Sequence, residues 1–469
     1  MVFLLSFANS QVFLKAPYLL YPGNNNQMTV IWQLDTTLSS VIQWGSTQTF
    51  GSSQVINEYG IDHQFKYTIS GLNPGTKYYY KVDAGSIGIT GTFITSPPEL
   101  ESNINFYIYA DTRSHPEVQD NVTGRILMEI DSDPASQTFC LFAGDCVAHG
   151  NNENDWQHQF FDPLYQNSEI LKASLPFIIA RGNHENCDSS SNCGNATIFY
   201  KYWPYFFANG SSDGNDMYFS FDYGSIHVAV LDQYNTGTNN PAQLSDTQLT
   251  WLQSDLAYTT KPWKFILLHE PGWSAKNTSD KEHGNNADVQ NNIQPLCIQY
   301  GVQAVFGGHN HYYAHCLVDG VHHFTLGGGG APLYTPSNTS GGTVVYAEET
   351  FHFMKVEVSA DSASLNVIRP DGSVVETIEL HLPLNHFEDL GCNEKISIYP
   401  NPSTGIFTIE KHDFEEGIIS VKSSAGEILL TTKVTSQKTK INMTNFSKGV
   451  YLTEILLGNK LYHNKIVLN

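Results

Sequence analysis

Positive charge is scarce in this chain. It has 24 Lys and Arg against 46 Asp and Glu, a formal net charge of −22 over 469 residues. Binding to a nucleic-acid backbone runs on Lys and Arg, so nucleic acid is not expected as an electrostatic partner. Small phosphate-bearing substrates are not excluded, because a bound metal ion sets its own local field. Cysteine is also sparse, with seven in all, and no two have the Cys-x-x-Cys spacing of a zinc site. Beyond the N-terminus no apolar run reaches the ~20 residues that span a bilayer, so no transmembrane helix is expected. The cation deficit is uneven. From Asn393 onward nine Lys face seven Asp and Glu, while the residues before it carry 15 cations against 39 acids. That shift marks a domain boundary.

Five short motifs lie in one order through the middle of the chain. They are Asp111-Thr112-Arg113, Gly144-Asp145 running to Gly150, Gly182-Asn183-His184-Glu185, Leu268-His269, and Gly308-His309-Asn310-His311. Each comes after a short apolar run: 105–110, 139–143, 176–180, 264–268 and 304–306. Runs of this length bounded by Gly or Pro read as buried strands. Sites in layered α/β folds form at the carboxyl ends of such strands. Every candidate side chain sits just past such an end.

The residue types point to metal. Carboxylate oxygen and imidazole nitrogen suit Zn, Fe and Mn. An Asp carboxylate can bridge two ions, and paired ions about 3.5–4 Å apart clamp a phosphate and lower the pKa of a bound water. Taken singly, each motif has an ordinary reading: a turn, a helix N-cap at Asp145, a chance His-x-His. Five in order at five strand ends do not.

The set resembles the calcineurin-like metallophosphoesterases, most closely the purple acid phosphatase branch. The resemblance implies an αββα-type catalytic domain and a hydrolase acting on phosphoric esters. It implies two divalent or trivalent ions (Fe, Zn or Mn). Asp111 and His311 would hold the first ion, Asp145 would bridge, and Asn183, His269 and His309 would hold the second. His184 would contact the phosphate or protonate the leaving alkoxide, and a metal-bound hydroxide would attack phosphorus.

Three positions depart from the family pattern. Purple enzymes place a Tyr ligand three residues after the bridging Asp, where this chain has Ala148; a colourless protein is expected. The other main branch has His as the third residue of the first motif, where this chain has Arg113. Its planar fork matches phosphate oxygens, although a surface salt bridge is the ordinary reading. Related phosphatases often carry a phosphate-gripping Arg just before Gly150, where this chain has His149. His283, in a polar loop after His269, lines the active site or is a solvated loop residue. His315, His322 and His323 read as packing residues, and Gly327 to Gly330 as close backbone packing.

The chain thus reads as multidomain. Residues 1–12 look like a signal-peptide remnant. Residues 15–96 show alternating strand patterns and resemble a fibronectin type III β-sandwich. Residues 103–382 form the catalytic domain. Residues 394–469, opening on Tyr399-Pro400-Asn401-Pro402 and closing on Lys465-Ile466-Val467-Leu468, form a small all-β unit. This unit resembles the sorting domain read by type IX secretion machinery, which implies export across both membranes to the cell surface or medium. Cys187 and Cys193 bracket five residues and read as a loop-closing disulfide in an exported protein. The expected function is a secreted metal-dependent phosphatase acting on phosphate monoesters. The alternatives are a phosphodiesterase or nucleotide pyrophosphatase on the same site, or a non-catalytic surface binding protein.

Overall fold

The computed structural model describes residues 13–36, 39–60, 62–186, 196–205, 210, 217–234, 242–276, 283–382, 396–411, 417–423, 428–457 and 460–469. The chain divides into two compact units, 1–382 and 383–469. The segment 1–12 and the Cys187–Cys193 pair lie outside the described residues. Cys140, Cys146, Cys297 and Cys316 are buried free thiols.

The first unit opens as an antiparallel sandwich. One sheet pairs Phe13–Leu20, Gln27–Leu34 and Gln64–Ser70; the other pairs Ser52–Ile56, Ser40–Gly45, Lys77–Ala84 and Ile87–Ile94. Alternation decides which residues enter. In Lys77–Ala84 the residues Tyr78, Tyr80, Val82 and Ala84 are buried, and the ones between them are less so. They meet Val30, Trp32 and Phe65 in one core, with Trp32 stacked on Phe65 at 5.6 Å. The sandwich is anchored to the catalytic domain. Tyr80 donates to Ala173 O at 2.9 Å, and Tyr18 packs on Phe161 and Trp203.

Two large sheets carry the rest of this unit. The first has the order Phe177–Ile179, Cys140–Phe142, Ile104–Tyr109, Phe353–Val358, Ser362–Ile368, Val374–His381. Its first three strands are parallel. The second runs Phe219–Tyr223, Ile226–Val230, Trp263–Leu267, Ala304–Gly307, Val321–Leu326, Tyr313–Val318, Val344–Glu348, parallel from Ile226–Val230 through Val321–Leu326. Phe106 of one sheet lies 5.8 Å from Phe265 and 6.5 Å from Phe306 of the other, so the sheets face each other through aromatic rings. The opposite side of the second sheet, with Ile266, Leu268 and Val305, is covered by Leu252 and Leu256 of the helix Asp246–Tyr258 and by Ile293 and Cys297. Helices over paired sheets give the expected αββα layering. All five strands that precede the motifs form, with bounds within one residue of the apolar runs. Within each parallel group the strands end together, which gathers the motifs.

The expected packing histidines are packed. His315 lies between Glu376 (3.1 Å) and His322 (2.9 Å). At Gly327 a Cβ would strike Asn310 O, and at Gly329 it would strike Ala110 O. The Gly-rich stretch therefore works by close approach: Gly329 N and Ala331 N donate to Ala110 O and Asp111 O.

The second unit has three- and four-stranded antiparallel sheets around Phe407, Ile419, Val421, Ile441 and Ile466. Its core is its own. Deletion of 394–469 is expected to leave the unfolding transition and turnover of the remaining chain unchanged while abolishing export. A truncated protein that unfolds at lower denaturant would show that the unit supports the catalytic fold.

A second expectation concerns His227, buried between Asp222 and Asp255, each at 2.8 Å. Burial works against its charge, but the two carboxylates raise it from 6.5 to about 9. Because the folded value is the higher one, the stabilisation is complete below about pH 6.5 and is lost as pH rises to about 9. Allowing for the half-exposed Asp222, about 1–2 kcal/mol should disappear across that window. Denaturant titrations of wild type and His227→Gln at several pH values test this, and parallel pH profiles would refute it.

Candidate metal centre

Asp111, Asp145 and His269 are buried, with ligand-type atoms all within 4.8 Å of one another. Each arrives directly after a strand, and the backbone bends hard to deliver it. Asp111 (φ 59°), Asp145 (φ 59°) and His309 (φ 67°) occupy the left-handed region although none is glycine. Such residues cost on the order of 1–3 kcal/mol each and persist only where neighbours hold them. The neighbours are visible. His309 N donates to Asp111 Oδ2 at 2.8 Å, and Asp111 N to Gly144 O at 3.0 Å. Gly182 and Gly308 admit Asp145 and Asp111, since a Cβ at either would collide with the carboxylate.

Glu185 holds the second motif from beneath. Its buried carboxylate accepts from Asp145 N (2.8 Å), Cys146 N (2.7 Å) and Gly182 N (2.9 Å). Burial, and then Asp145, push it up to about 7. Sequence reasoning placed Glu185 inside its motif but gave it no role. The signal was available: a carboxylate beside two ligand-type residues, on a turn that leaves amides to satisfy.

The histidines are oriented by their far nitrogens. His269 Nδ1 lies 2.6 Å from Ala143 O and His311 Nδ1 2.8 Å from Pro332 O. A carbonyl only accepts, so each Nδ1 carries the proton and each Nε2 turns a lone pair inward. His309 is reversed. Its Nδ1 faces Asn183 Oδ1 (3.0 Å) and His269 Nε2 (3.2 Å), and its Nε2 meets His283 Nδ1 at 3.0 Å. His269 Nε2 also lies 3.1 Å from Asn183 Oδ1 and 3.3 Å from Asp145 Oδ1. Atoms with lone pairs thus converge on one point, an arrangement that a cation satisfies.

The charges agree. Burial pushes Asp111 up to about 8. Burial also acts on Asp145, but His269, His184 and Arg113 hold it below the usual range. His269 is raised by Asp145 and Asp111 against burial, so the carboxylates call for positive charge at that point. Burial, followed by neighbouring cations, keeps His309 well below its ordinary value and His311 at about 3, which leaves both neutral. Asp111 Oδ1 is buried with no hydrogen-bond partner. Donor types, lone-pair directions and an orphaned carboxylate oxygen all fit a metal.

The remaining site residues fall in different places. His184 is on the short helix Asn183–Asn186; its Nδ1 is 2.6 Å from Ala148 O and its Nε2 3.7 Å from Asp145 Oδ2, with the side chain 28% exposed. Arg113 Nε is 3.5 Å from Asp145 Oδ2, so Arg113 belongs to the cluster and not to a surface salt bridge. His283 contacts His309 and stacks on Tyr334 at 5.2 Å. His149 is drawn aside by Asp155 at 2.6 Å, with its side chain 44% exposed. Sequence reasoning missed Tyr334, whose ring stacks on His311 at 4.2 Å. It also missed Gln233, whose Oε1 accepts from His269 N (3.0 Å) and Glu270 N (2.7 Å). Nothing in their local sequence distinguishes either residue.

A buried carboxylate–imidazole cluster at strand ends between two sheets is the site of a metal-dependent hydrolase. Residues 107–313 match the calcineurin-like phosphoesterase family, and 397–469 match the secretion system C-terminal sorting domain. Purple acid phosphatase 21 of Arabidopsis thaliana is 25% identical over 330 residues, covering 66% of this chain and 68% of that protein. A purple acid phosphatase of Glycine max is 28% identical over 257 residues, covering 52% and 51%. The purple acid phosphatase PPD1 of yellow lupin superposes with a TM-score of 0.63 at 18% identity, covering 80% of this chain and 74% of that one. PhoD superposes at 0.61 with 12% identity, covering 80% and 91%. The chain carries a calcineurin-like phosphoesterase domain on the purple acid phosphatase fold, the domain of a phosphoric ester hydrolase. Its C-terminal unit is a secretion sorting domain, which marks a secreted or surface-held protein. No helix among the described residues is long and apolar enough to cross a membrane.

Replacement of Glu185 by Ala strips an acceptor from three buried amides. At about 1–3 kcal/mol per orphaned donor, a loss of roughly 3 kcal/mol or more in urea unfolding is expected, together with reduced bound metal. A loss below about 1 kcal/mol would show that water replaces the carboxylate.

Proposed function

We propose that this chain hydrolyses phosphate monoesters at a metal site organised on Asp145, outside the cell that makes it. The observation that carries the reading is the single buried cluster that joins side chains from all five motifs. Asp145 stands between two positions. On one side are Asn183, His269 and His309; on the other are Asp111 and His311. Asn183, His269 and His309 would hold an ion together with Asp145; Asp111 and His311 are where the family likeness would put another. When bound, metal would supply positive charge against the phosphoryl oxygens and lower the pKa of an attacking water.

The protein groups do the rest. Arg113 presents N–H donors beside Asp145 and would grip a phosphoryl oxygen. His184 keeps Nδ1 committed to Ala148 O and turns Nε2 toward Asp145 Oδ2 at 3.7 Å. A proton on Nε2 is therefore placed to reach a departing alkoxide. Gln233 and Glu185 hold the backbone of His269 and Asp145, so the site is set before substrate arrives. Turnover of nitrophenyl phosphate against bis-nitrophenyl phosphate, after loading with zinc or manganese, tests the monoester assignment. Faster diester cleavage would move the reading to a phosphodiesterase.

His184→Ala should keep its metal and lose rate. General acid catalysis contributes roughly 10²–10⁴-fold, and its full worth is felt when the leaving group is a strong base. The deficit should be large on alkyl phosphates and small on nitrophenyl phosphate. Equal deficits on both would make His184 a phosphate-binding group, and metal loss would make it a ligand.

A further inference from the structure

We infer that the guanidinium of Arg113 takes the place of a first metal ion, so that the site works with one resident ion and one fixed organic cation. The inference rests on the phosphoesterase reading and specifies its cofactor.

The two sides of Asp145 are unequally built. The Asn183, His269 and His309 side offers, with Asp145, four protein donors, the number a divalent transition metal takes. Their facing atoms lie 3.0–3.3 Å apart and point the same way. The other side offers Asp111, His311 and a share of Asp145, and a side chain already stands among them. Arg113 Nη2 is 3.3 Å from His311 Nε2, the lone pair that would have bound an ion. Arg113 Nε is 3.5 Å from Asp145 Oδ2, the oxygen turned away from His269. The charge of Arg113 also acts on Asp111.

The guanidinium is held there. Its side chain is 16% exposed, and its Nε is buried without a hydrogen-bond partner, paired by charge alone with Asp145. The Tyr334 ring lies on His311 at 4.2 Å, within the field of the Arg113 charge. A guanidinium does not give up its proton in a protein. A divalent ion on Asp111, Asp145 and His311 would therefore face a permanent like charge a few ångströms away. It would also compete for the imidazole nitrogen that Arg113 Nη2 now faces and for the Asp145 oxygen that its charge pairs with. The fixed charge of Arg113 and its contact with His311 Nε2 therefore stand against a second ion on this side.

The test is metal content, read without substrate. Purified full-length protein is incubated with excess Mn²⁺ and desalted, then bound metal is counted by mass spectrometry and its spin state read by electron paramagnetic resonance. About one ion per chain is expected, with the hyperfine pattern of an isolated ion. Arg113→His, which removes the fixed charge and adds a donor, should about double the bound metal and produce an exchange-coupled pair. Arg113→Met, close in length and uncharged, guards against misfolding of the first variant and should also take up additional metal. Two coupled ions in wild type would overturn the inference, as would one ion in wild type and both variants. One ion in wild type, extra metal in the variants and no turnover of any phosphate ester would sink the functional reading while leaving this one standing.

Discussion

Two carboxylates, Asp111 and Asp145, lie side by side with almost no exposure to water, and the catalytic unit is arranged around the consequence. Like charges so placed and so desolvated do not both stay ionised unless positive charge is fixed beside them. Imidazoles at His269 and His309 turn lone pairs toward the point an ion would take, and Arg113, beside His311, supplies a charge of its own. The backbone bears the strain of placing them, with three left-handed residues at three strand ends. Glu185, itself a buried carboxylate, is tolerated because it accepts three amides that would otherwise be orphaned.

This constraint explains what was legible beforehand. The strands were legible because buried parallel strands read as unbroken apolar runs, and each run here is short, bounded and succeeded by a polar residue of ligand type. The αββα layering came from five such strands and the family likeness. Asp111, Asp145, Asn183, His269, His309 and His311, singled out in the sequence, come together in the structure because each needs only one side chain at one strand end. His149 and His283 were less legible, because their partners decide their role. Asp155 pulls His149 sideways, and His309 meets the ring nitrogen of His283. No spacing rule encodes either choice. Tyr334 and Gln233 were invisible for the same reason, since they reach the site through tertiary packing from segments without a motif.

Gly327 to Gly330 illustrates the difference between a motif and its physics. A run of glycine beside a phosphatase site invites a phosphate loop. Here the missing side chains let this backbone run against Ala110 and Asp111, and amides donate to those carbonyls. The glycines therefore act on the first aspartate through its main chain. They help hold that left-handed residue, beside the contact that His309 N makes to its side chain.

Asp145 also separates two kinds of chemistry with its two oxygens. Oδ1 faces His269 Nε2 and accepts the His184 amide at 3.1 Å, so it belongs to the imidazole side. Oδ2 faces Arg113 Nε at 3.5 Å and His184 Nε2 at 3.7 Å, so it belongs to the side where organic cations gather. The groups that bear or can bear a proton, Arg113 and His184, thus share one oxygen, while the lone-pair donors share the other. A phosphate seated across this carboxylate would meet metal charge from one direction and N–H donors from the other. A phosphoryl group that loses its leaving alkoxide needs both: charge that stays on its equatorial oxygens, and a proton that departs with the alkoxide. In the proposed mechanism His184 would deliver that proton, the carboxylate oxygen beside it facing neither His269 nor Asn183.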